Sequence, residues 1–263
     1  MLKENQFIMP NILFASDIDG TLAKRLHIPS ENIKAIKKFR EAGNYFAVVT
    51  GRNKSMIHKN VFPLCDYTIA DTGAVIFDGN KIIYECPLDK QEVDRILEVV
   101  RSSDADNVIV HGKDTYCIES LDKSTRFKNF ITKFALYGVP TDIEQIIKDN
   151  VYEISIQFLK GNKCFKNVTD RLKQIDGISV YENTYSIDVV SNKTNKADGI
   201  RKLSEYKHFD KIVVMGDQMN DELMIKEFES YAMESGNPIL KQSAKHISPS
   251  VAMAIQEVMA SDL

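Results

Sequence analysis

The sequence feature that most constrains the fold is a short run with no polar face, NILFAS at positions 11–16, followed directly by Asp17 and Asp19. Such a run is typical of a strand that is buried on both faces of a parallel sheet. The next segment, at 30–43, spaces its apolar residues as a helix does, and YFAVVT at 45–50 is a second apolar run. A buried strand, a helix and a second buried strand predict a β-α-β unit with a right-handed crossover.

The same alternation returns near the C-terminus, where buried strands follow helical segments. We predict the following elements there: a helix at 195–206, a strand at 211–217, a helix at 218–229, a strand at 230–233 and a helix at 250–259. In the first helix of the chain, Ser30 is expected to act as the N-cap and Gly43 to end the helix, because these residue types are preferred at these positions.

The middle of the chain has a different pattern, with hairpin signals and amphipathic helices. We predict the following elements: hairpins at 73–85, 107–119 and 178–190, helices at 91–103, 124–138 and 163–177, and a half-exposed antiparallel strand at 152–161. The predicted fold class is therefore α/β, with a Rossmann-like parallel-sheet core and an inserted α+β cap domain. The core is expected to comprise residues 1–85 and 191–263, and the cap residues 86–190.

Composition excludes several classes of protein. The 263 residues carry a net charge of −3, which gives no reason to expect a nucleic-acid or membrane partner. No apolar run approaches the roughly 20 residues of a membrane span, and the N-terminal residues do not resemble a signal peptide. The four cysteines are widely spaced without a C-x-x-C pair, which predicts reduced thiols in a cytoplasmic protein, with a zinc site as the weaker alternative. The five histidines show no ligand spacing, and the sequence does not predict an oligomeric state.

Polar residues follow three of the predicted strands at the point where each strand ends. Asp17 and Asp19 follow the first strand, Thr50 and Gly51 end the second, and Asp217 ends a later one. In an open parallel sheet, ligands bind outside the carboxyl ends of the strands. These groups are therefore expected to converge on one edge of the sheet.

Magnesium-assisted attack on phosphorus fits this set of side chains. The acidic residues of the set are Asp17, Asp19, Asp217 and Asp221. Their carboxylates cannot all be ionised at close range without a cation, and oxygen ligands suit Mg²⁺. One carboxylate can attack phosphorus and form an aspartyl phosphate, while a second protonates the leaving alkoxide and then deprotonates a water. A hydroxyl, backbone N–H groups and a lysine can hold the phosphoryl oxygens.

Four motifs together resemble the phosphatases of the haloacid dehalogenase superfamily, in its Cof-type branch. The matches, in the family's order, are Asp-x-Asp-Gly-Thr at 17–21, a strand that ends in Thr50, a lysine at the start of a helix at Lys196, and Gly-Asp-x-x-Asn-Asp at 216–221. Lys193 is a rival for the third motif. The family's cap lies between the second and third motifs, where the antiparallel block lies here.

The resemblance implies a role for each matched residue. Asp17 is implied to be the nucleophile and a magnesium ligand, and Asp19 the general acid and base that also gives its backbone carbonyl to the metal. The other implied contacts are Ile18, Thr50, Gly51, Lys196 and Asn220 to phosphate, Asp217 to magnesium, and Asp221 and Asn237 in support of the site.

One loop departs from the family pattern. Family members often carry Asn-Gly-Ala after the third core strand, whereas this chain has Asp71-Thr72-Gly73-Ala74. A substrate contact made by that loop in the family is therefore not carried over to this chain. The candidate substrate contacts in the cap are Tyr116, Lys123, Arg126 and Tyr185.

The sequence thus predicts magnesium-dependent hydrolysis of small phosphate monoesters, with sugar phosphates or similar phosphometabolites as the expected partners. Two alternatives stay open. One is a regulatory protein that binds phosphometabolites without turnover, although the intact pair of Asp17 and Asp19 argues against it. The other is a phosphosugar mutase, which shares the first chemical step.

Overall fold

The computed structural model describes residues 11–24, 27–113, 115–120, 143–160 and 162–261. The strands are β1 (Ile12–Ser16), β2 (Tyr45–Val49), β3 (Tyr67–Ala70), β4 (Val75–Asp78), β5 (Lys81–Glu85), β6 (Asn107–His111), β7 (Tyr116–Ser120), β8 (Glu153–Gln157), β9 (Ile178–Glu182), β10 (Ser186–Ser191), β11 (Lys211–Gly216), β12 (Glu229–Met233) and β13 (His246–Ser248). The helices are α1 (Ser30–Glu41), α2 (Lys90–Arg101), α3 (Ile143–Ile146), α4 (Phe165–Leu172), α5 (Lys196–Tyr206), α6 (Glu222–Glu227), α7 (Pro238–Ser243) and α8 (Val251–Ser261). The predicted helix at 124–138 lies outside the described residues. None of the helices within the described ranges has the length and apolar character needed to span a membrane.

Packing divides the chain into two compact units. The first comprises Met1–Val48, Leu64–Asp66 and Ser204–Leu263, and the second comprises Val49–Pro63 and Tyr67–Leu203. The division into a core and a cap that the sequence suggested stays a prediction, because compactness alone does not define a domain that folds by itself.

The first unit contains a parallel sheet, as its apolar runs predict. The strand order is β13-β12-β11-β1-β2, and each neighbouring pair is parallel. Every residue of β1 is buried. A strand in the middle of such a sheet has both faces covered, which is why its sequence is an unbroken apolar run.

Aromatic side chains fill the space around β1. The Phe14 ring stacks on that of Phe46 in β2, with ring centroids 6.0 Å apart, and meets Phe39 of α1 edge-on at 6.2 Å. All three side chains are fully buried. These contacts fix α1 against the sheet that carries Asp17 at its edge.

Asn32 joins three parts of the first unit. Its side-chain amide donates to the carbonyl of Leu22, in the turn after β1, at 3.1 Å. Its side-chain carbonyl accepts from the N–H of Ala252, in the first turn of α8, at 3.0 Å. Because Asn32 is only 1% exposed, water cannot replace either bond, and the turn after β1 is tied to two helices.

The second unit contains two antiparallel arrangements. Strands β3, β4 and β5 form successive antiparallel pairs, and a separate five-stranded sheet has the order β7-β6-β8-β10-β9. The hairpins predicted at 73–85, 107–119 and 178–190 are confirmed as β4-β5, β6-β7 and β9-β10. The predicted fold class is confirmed by the parallel sheet of the first unit together with the antiparallel α+β structure of the second.

The two faces of the five-stranded sheet differ in chemistry. One face packs in an apolar cluster with α2 and α4, and its members at the centre of the sheet are Val108, Val110, Ile154, Ile156, Ile187 and Val189. Because side chains alternate along a strand, the intervening residues His111, Glu153 and Ser155 belong to the other face. These three polar residues are buried as well.

The predicted exposure of the strand at 152–161 is wrong. The strand exists as β8, but its first four residues are all buried. The Ser155 hydroxyl donates to Asp188 of β10 at 2.5 Å, and Glu153 accepts from the Thr72 hydroxyl at 2.7 Å. An alternating pattern indicates one polar face, but that face can be covered by other polar groups instead of water.

Two predictions about helix ends are also wrong. Ser30 is the first residue of α1, and the N-cap position is held by Pro29, which offers no side-chain hydrogen bond. The predicted helix at 218–229 is divided into a 3-10 turn at Met219–Asp221 and the short α6. The division follows from the Asp221 carboxylate, which accepts backbone N–H groups just ahead of the turn.

We expect Asn32→Ala to lower the free energy of unfolding by about 2–4 kcal/mol, since it leaves two buried backbone groups without their partner. Urea unfolding followed by circular dichroism measures the loss. Asn60→Ala is the matched control, because Asn60 is exposed and such surface changes alter stability by about 0.5 kcal/mol or less. Equal losses in the two variants would contradict the role assigned to Asn32.

Candidate active site

The turn after β1 presents two carboxylates in different surroundings. The Asp17 N–H donates to the Met215 carbonyl of β11 at 2.9 Å, and the chain then turns back with the Ala23 N–H bonded to the Ile18 carbonyl at 2.8 Å. Asp17 is 6% exposed, whereas Asp19 is exposed to solvent. The two carboxylates of this turn therefore differ in their access to solvent, and the acid and base role of Asp19 stays a prediction.

Asp17, Asp217 and Asp221 form the acidic cluster of the first unit. One carboxylate oxygen from each residue lies within 4.8 Å of the others, and all three residues are buried. Asp17 and Asp217 follow β1 and β11, which are paired, so the two strand ends meet at one edge of the sheet. Three carboxylates this close and this well shielded repel one another unless a cation or protons offset their charge.

Neighbouring groups fix the orientation of the Asp217 carboxylate. The Thr21 hydroxyl donates to Oδ1 at 3.2 Å, and the Gln218 amide donates to Oδ2 at 3.0 Å. The backbone of Gly20, with φ of +95°, approaches so closely that a β-carbon there would lie 2.8 Å from Asp217 Cγ. Glycine is therefore needed at position 20 for its conformation and for its size.

Asp221 belongs to the acidic cluster itself, although the sequence assigned it a supporting role. Its Oδ2 atom accepts the N–H of Asp217 at 2.9 Å and that of Gln218 at 3.1 Å. The side chain is fully buried. Asp221 therefore orients the backbone of Asp217 and also adds a third carboxylate to the cluster.

The acidic cluster fits a hard divalent cation. Carboxylate oxygens are the ligands that Mg²⁺ prefers, and Mg²⁺ uses few protein ligands because it keeps several waters. Asp17 and Asp217, the predicted side-chain ligands, both contribute to the cluster. The side chain of Asp19 lies in solvent, and its predicted contribution is the backbone carbonyl. The residues that could hold Mg²⁺ here are thus Asp17 and Asp217, with Asp221 beside them.

Asn237 supports Asp217 through the backbone. Its N–H donates to the Asp217 carbonyl at 2.8 Å, and its side chain caps α7 by accepting the Ile239 N–H at 2.8 Å. Asn220 is half-buried in the 3-10 turn Met219–Asp221. The phosphate contact of Asn220 stays a prediction.

Backbone bonds fix the segment that contains Thr50 in the second unit. The Thr50 N–H donates to the Ile69 carbonyl of β3 at 2.9 Å, and the Thr50 hydroxyl accepts the Arg52 N–H at 3.1 Å. Thr50 is 1% exposed, and Gly51 is half-buried. The conformation of this segment therefore depends on its connection to β3.

Lys196 is buried near acidic side chains, whereas Lys193 is exposed to solvent. Lys196 is the first residue of α5 and is 1% exposed. Lys193 lies at the surface, where its ammonium is 3.7 Å from a carboxylate oxygen of Asp89. Burial raises the pKa values of Glu153 and Asp188, and the positive charge of Lys196 offsets part of both rises. The burial of Lys196 agrees with its assignment to the third motif, and its contact with phosphate stays a prediction.

A buried network in the second unit includes residues to which the sequence gave no role. The Nδ1 atom of His111 lies 2.9 Å from Asp71 Oδ1, and the Thr72 hydroxyl donates to Glu153 Oε2 at 2.7 Å. Burial raises the pKa of Asp71. Burial and the nearby charges of Asp188 and Asp71 raise the pKa of Glu153 well above its usual value. The sequence signal that points to this network is the departure from Asn-Gly-Ala at Asp71 and Thr72.

The candidate cap contacts have different surroundings. Tyr116 is fully buried, whereas Tyr185 is 50% exposed. Lys123 and Arg126 lie outside the described residues. Of the two candidates within the described residues, Tyr185 is the exposed one, and its contact with substrate stays a prediction.

Comparison with known proteins finds similarity over most of the chain. Residues 14–255 match the model of the haloacid dehalogenase-like hydrolases. Two relatives from Bacillus subtilis (strain 168), YcsE and YitU, are both named 5-amino-6-(5-phospho-D-ribitylamino)uracil phosphatase. YcsE is 26% identical over 243 residues, which cover 89% of this chain and 88% of YcsE. YitU is 23% identical over 243 residues, which cover 86% of this chain and 87% of YitU.

Solved structures share the fold across nearly the whole chain. A sugar phosphatase of HAD subclass IIB superposes with a TM-score of 0.81 at 20% identity, covering 95% of this chain and 99% of that chain. A phosphatase of the same superfamily from Bacteroides thetaiotaomicron gives 0.80 at 19% identity, covering 98% of both chains. At this level of identity the likeness concerns the fold.

We expect Gly20→Ala to lower the free energy of unfolding clearly more than Gly43→Ala does. Both glycines have positive φ, +95° at Gly20 and +90° at Gly43. Alanine disfavours this left-handed conformation, so each substitution lowers the free energy of unfolding by about 1–2 kcal/mol on this account. A β-carbon at Gly43, which ends α1 as predicted, meets nothing within 4 Å, whereas at Gly20 it displaces the Asp217 carboxylate. Chemical denaturation of both variants measures the difference, and equal losses would rule out the close approach at Gly20.

We expect the stability of the wild type to fall with rising pH more steeply than that of Glu153→Gln. Because the pKa of Glu153 is raised well above 4.5 in the folded protein, the folded state keeps this proton at pH values where the unfolded state has lost it. The contribution of Glu153 to the free energy of unfolding is complete below about pH 4.5, and it is lost as the pH rises towards the folded-state pKa of Glu153.

Urea unfolding from about pH 5 to 8 measures the two slopes, which should differ by up to about 1.4 kcal/mol per pH unit. Asp71 and Asp188 have raised pKa values in the same direction, but they are present in both proteins and largely cancel in the comparison. A steeper fall in Glu153→Gln than in the wild type would contradict the raised pKa of Glu153.

Proposed function

This chain belongs to the haloacid dehalogenase-like hydrolase family, and we propose that it hydrolyses small phosphate monoesters with Mg²⁺ as its cofactor. Sugar phosphates or similar phosphorylated metabolites are the proposed substrates. The observation that carries the proposal is the acidic cluster of Asp17, Asp217 and Asp221 beside two paired strand ends. Buried carboxylates at this spacing call for a cation, and an anionic ester needs the same cation to approach an anionic nucleophile.

Asp17 is the proposed nucleophile and Asp19 the proposed general acid and base. A carboxylate oxygen of Asp17 forms a bond to phosphorus while the bond from phosphorus to the leaving oxygen breaks, which gives an aspartyl phosphate. Asp19 donates its proton to the leaving alkoxide. The Asp19 carboxylate then accepts a proton from the water that attacks phosphorus, and the bond from phosphorus to the Asp17 oxygen breaks. Release of phosphate leaves the Asp17 carboxylate and the protonated Asp19 carboxyl of the starting state.

Asp17, Asp217 and the backbone carbonyl of Asp19 are the proposed ligands of Mg²⁺, and Asp221 orients Asp217. When bound, the ion supplies positive charge that offsets the repulsion between the Asp17 carboxylate and the phosphoryl oxygens. The burial of Asp17, Asp217 and Asp221 supports this role, because charges interact more strongly where water is excluded.

The remaining predicted residues are proposed to hold the phosphoryl group. They are the Ile18 backbone N–H, Thr50, Gly51, Lys196 and Asn220. Hydroxyl, amide and N–H groups donate hydrogen bonds to the phosphoryl oxygens, and the ammonium group offsets their charge. The burial of Lys196 supports its part, because a buried ammonium group requires anionic or polar partners.

The relatives support a sugar-derived leaving group. Two are named phosphatases of a 5-phospho-D-ribitylamino compound, and one structural neighbour is described as a sugar phosphatase. Both descriptions refer to phosphate on a sugar-derived group. We therefore propose that a phosphorylated sugar or polyol is the substrate, and that the chain acts on it as a free metabolite in the cytoplasm.

We expect Asp17→Asn to reduce the Mg²⁺-dependent release of phosphate from p-nitrophenyl phosphate by roughly 10³-fold or more, because an amide does not attack phosphorus. Asp176→Asn is the matched control: Asp176 is an exposed aspartate, and its loss should change the rate by about two-fold at most. Thermal unfolding without Mg²⁺ checks the fold. Asp17→Asn should melt at the same temperature as the wild type or higher, since one of three repelling charges is removed.

Three outcomes would contradict parts of this proposal. Turnover by folded Asp17→Asn would show that Asp17 is not the nucleophile. Saturable binding of sugar phosphates without any phosphate release by the wild type would favour the regulatory protein. Conversion of a phosphosugar into its isomer would favour the mutase.

A further inference from the structure

The connection between β3 and β4 has an unusual backbone. Asp71, Thr72 and Gly73 are consecutive residues with φ values of +48°, +54° and +96°. Left-handed conformations are uncommon in residues with a side chain and rarest in β-branched residues such as threonine. Such a conformation persists only where the surroundings enforce it. We call Asp71–Gly73 the strained turn.

Side chains from two neighbouring strands hold the strained turn. The Thr72 hydroxyl donates to Glu153 Oε2 of β8 at 2.7 Å, and His111 Nδ1 of β6 lies 2.9 Å from Asp71 Oδ1. His111 and Glu153 are themselves direct partners in the pairing of β6 with β8. All four side chains are at most 3% exposed, so water competes little for these bonds.

The strained turn is hydrogen-bonded to residues 50–52, which we call the phosphate segment. The Thr72 N–H donates to the Thr50 carbonyl at 3.0 Å, and the Asp71 N–H donates to the Arg52 carbonyl at 3.2 Å. These two bonds arise from successive residues in the left-handed conformation. A change in the backbone of the strained turn would therefore move the carbonyl groups of the phosphate segment.

The start of α5 is the second neighbour of the strained turn. A β-carbon at Gly73 would lie 2.7 Å from the carbonyl carbon of Asn195, and one at Gly199 would lie 3.0 Å from Gly73 Cα. Because these are approaches to backbone atoms, the strained turn fixes where α5 begins. Lys196 is the first residue of that helix.

We propose that Asp71, Thr72, His111 and Glu153 are positioning residues for phosphate binding. They hold the strained turn, and the strained turn sets the spacing between the phosphate segment and Lys196. The inference rests on the proposed function, which assigns phosphate contacts to those two elements. Each of the four residues acts through the backbone of the strained turn and not on the substrate.

This role accounts for the retention of the strain. A glycine at position 72 would relieve the backbone, but it would remove the hydroxyl that bonds to Glu153. Antiparallel neighbours such as β3 and β4 can be joined by a two-residue turn of glycine and asparagine without any β-branched residue. This chain instead uses side chains that reach the five-stranded sheet.

Removal of the Thr72 hydroxyl tests the proposal. Thr72→Val keeps the shape of the side chain, and Thr72→Ser restores the hydroxyl. Ser155→Ala is the matched control, because Ser155 lies two residues after Glu153 on β8 and its buried hydroxyl donates to Asp188 rather than to the strained turn. If Thr72→Val does not fold, Glu153→Leu is used in its place, because it removes the acceptor of the same hydrogen bond on β8.

We expect Thr72→Val to raise the KM for p-nitrophenyl phosphate and the inhibition constant of inorganic phosphate together, by roughly ten-fold, and to lower kcat/KM by roughly 10- to 100-fold. Thr72→Ser should recover wild-type values within about three-fold. Ser155→Ala and Thr72→Val should lower the melting temperature to a similar extent, because each removes one buried hydroxyl. Ser155→Ala should nevertheless change KM, the inhibition constant and kcat/KM by about two-fold at most. The proposal is overturned if Thr72→Val resembles Ser155→Ala in all three measurements.

Hydrogen exchange decides the question without turnover. The amide hydrogens of Asp71 and Thr72 bond to the phosphate segment, so they should exchange at least about ten-fold faster in Thr72→Val than in the wild type. In Ser155→Ala they should keep the wild-type rate. If the wild type releases no phosphate, the proposed function fails, while this measurement still shows whether the Thr72 hydroxyl holds the strained turn. Unchanged exchange in Thr72→Val would overturn the positioning role.

Discussion

Mutual repulsion among three shielded carboxylates is the interaction on which the rest of the first unit depends. Asp17 and Asp217 leave two paired strands, and Asp221 is held beside them by backbone N–H groups. Such a grouping is unfavourable by itself, so its neighbours must hold it in place. The Thr21 hydroxyl directs the Asp217 carboxylate, and Asn32 ties the turn after β1 to two helices. The fold thus holds three negatively charged side chains close together, in an arrangement that can bind a divalent cation.

Much of this arrangement could be predicted because each acid directly follows its strand in the sequence and a general rule brings the ends of parallel strands together. The apolar run of β1 ends at Asp17, and the run of β11 ends just before Asp217, so their meeting at one edge follows from parallel pairing. The predicted membership of the haloacid dehalogenase superfamily, and with it the prediction of a hydrolase, is confirmed by the family match over residues 14–255. The individual roles of Asp17, Asp19 and Lys196 stay predictions, since they concern chemistry and not position.

The network around Glu153 could not be predicted, because its partners are far apart in sequence and no strand-pairing rule or motif brings them together. Thr72 and Glu153 are separated by 81 residues, and His111 and Asp71 by 40. The alternation in β8 indicates that the strand has a polar face but does not indicate what covers it. The start of α1 was also predicted wrongly from sequence. Ser30 is of a type preferred at helix N-caps, but it lies one position inside the helix.

The strained turn has a consequence for how such chains can be recombined. Asp71 and Thr72 precede the segment that the sequence suggests is an insertion, whereas His111 and Glu153 lie inside it. A chimera whose inserted segment came from a relative without a histidine and an acid at the positions of His111 and Glu153 would lose the two side chains that hold Asp71 and Thr72 in a left-handed conformation. Grafting would therefore disturb the backbone outside the transplanted piece, and the two halves of the network should be inherited together.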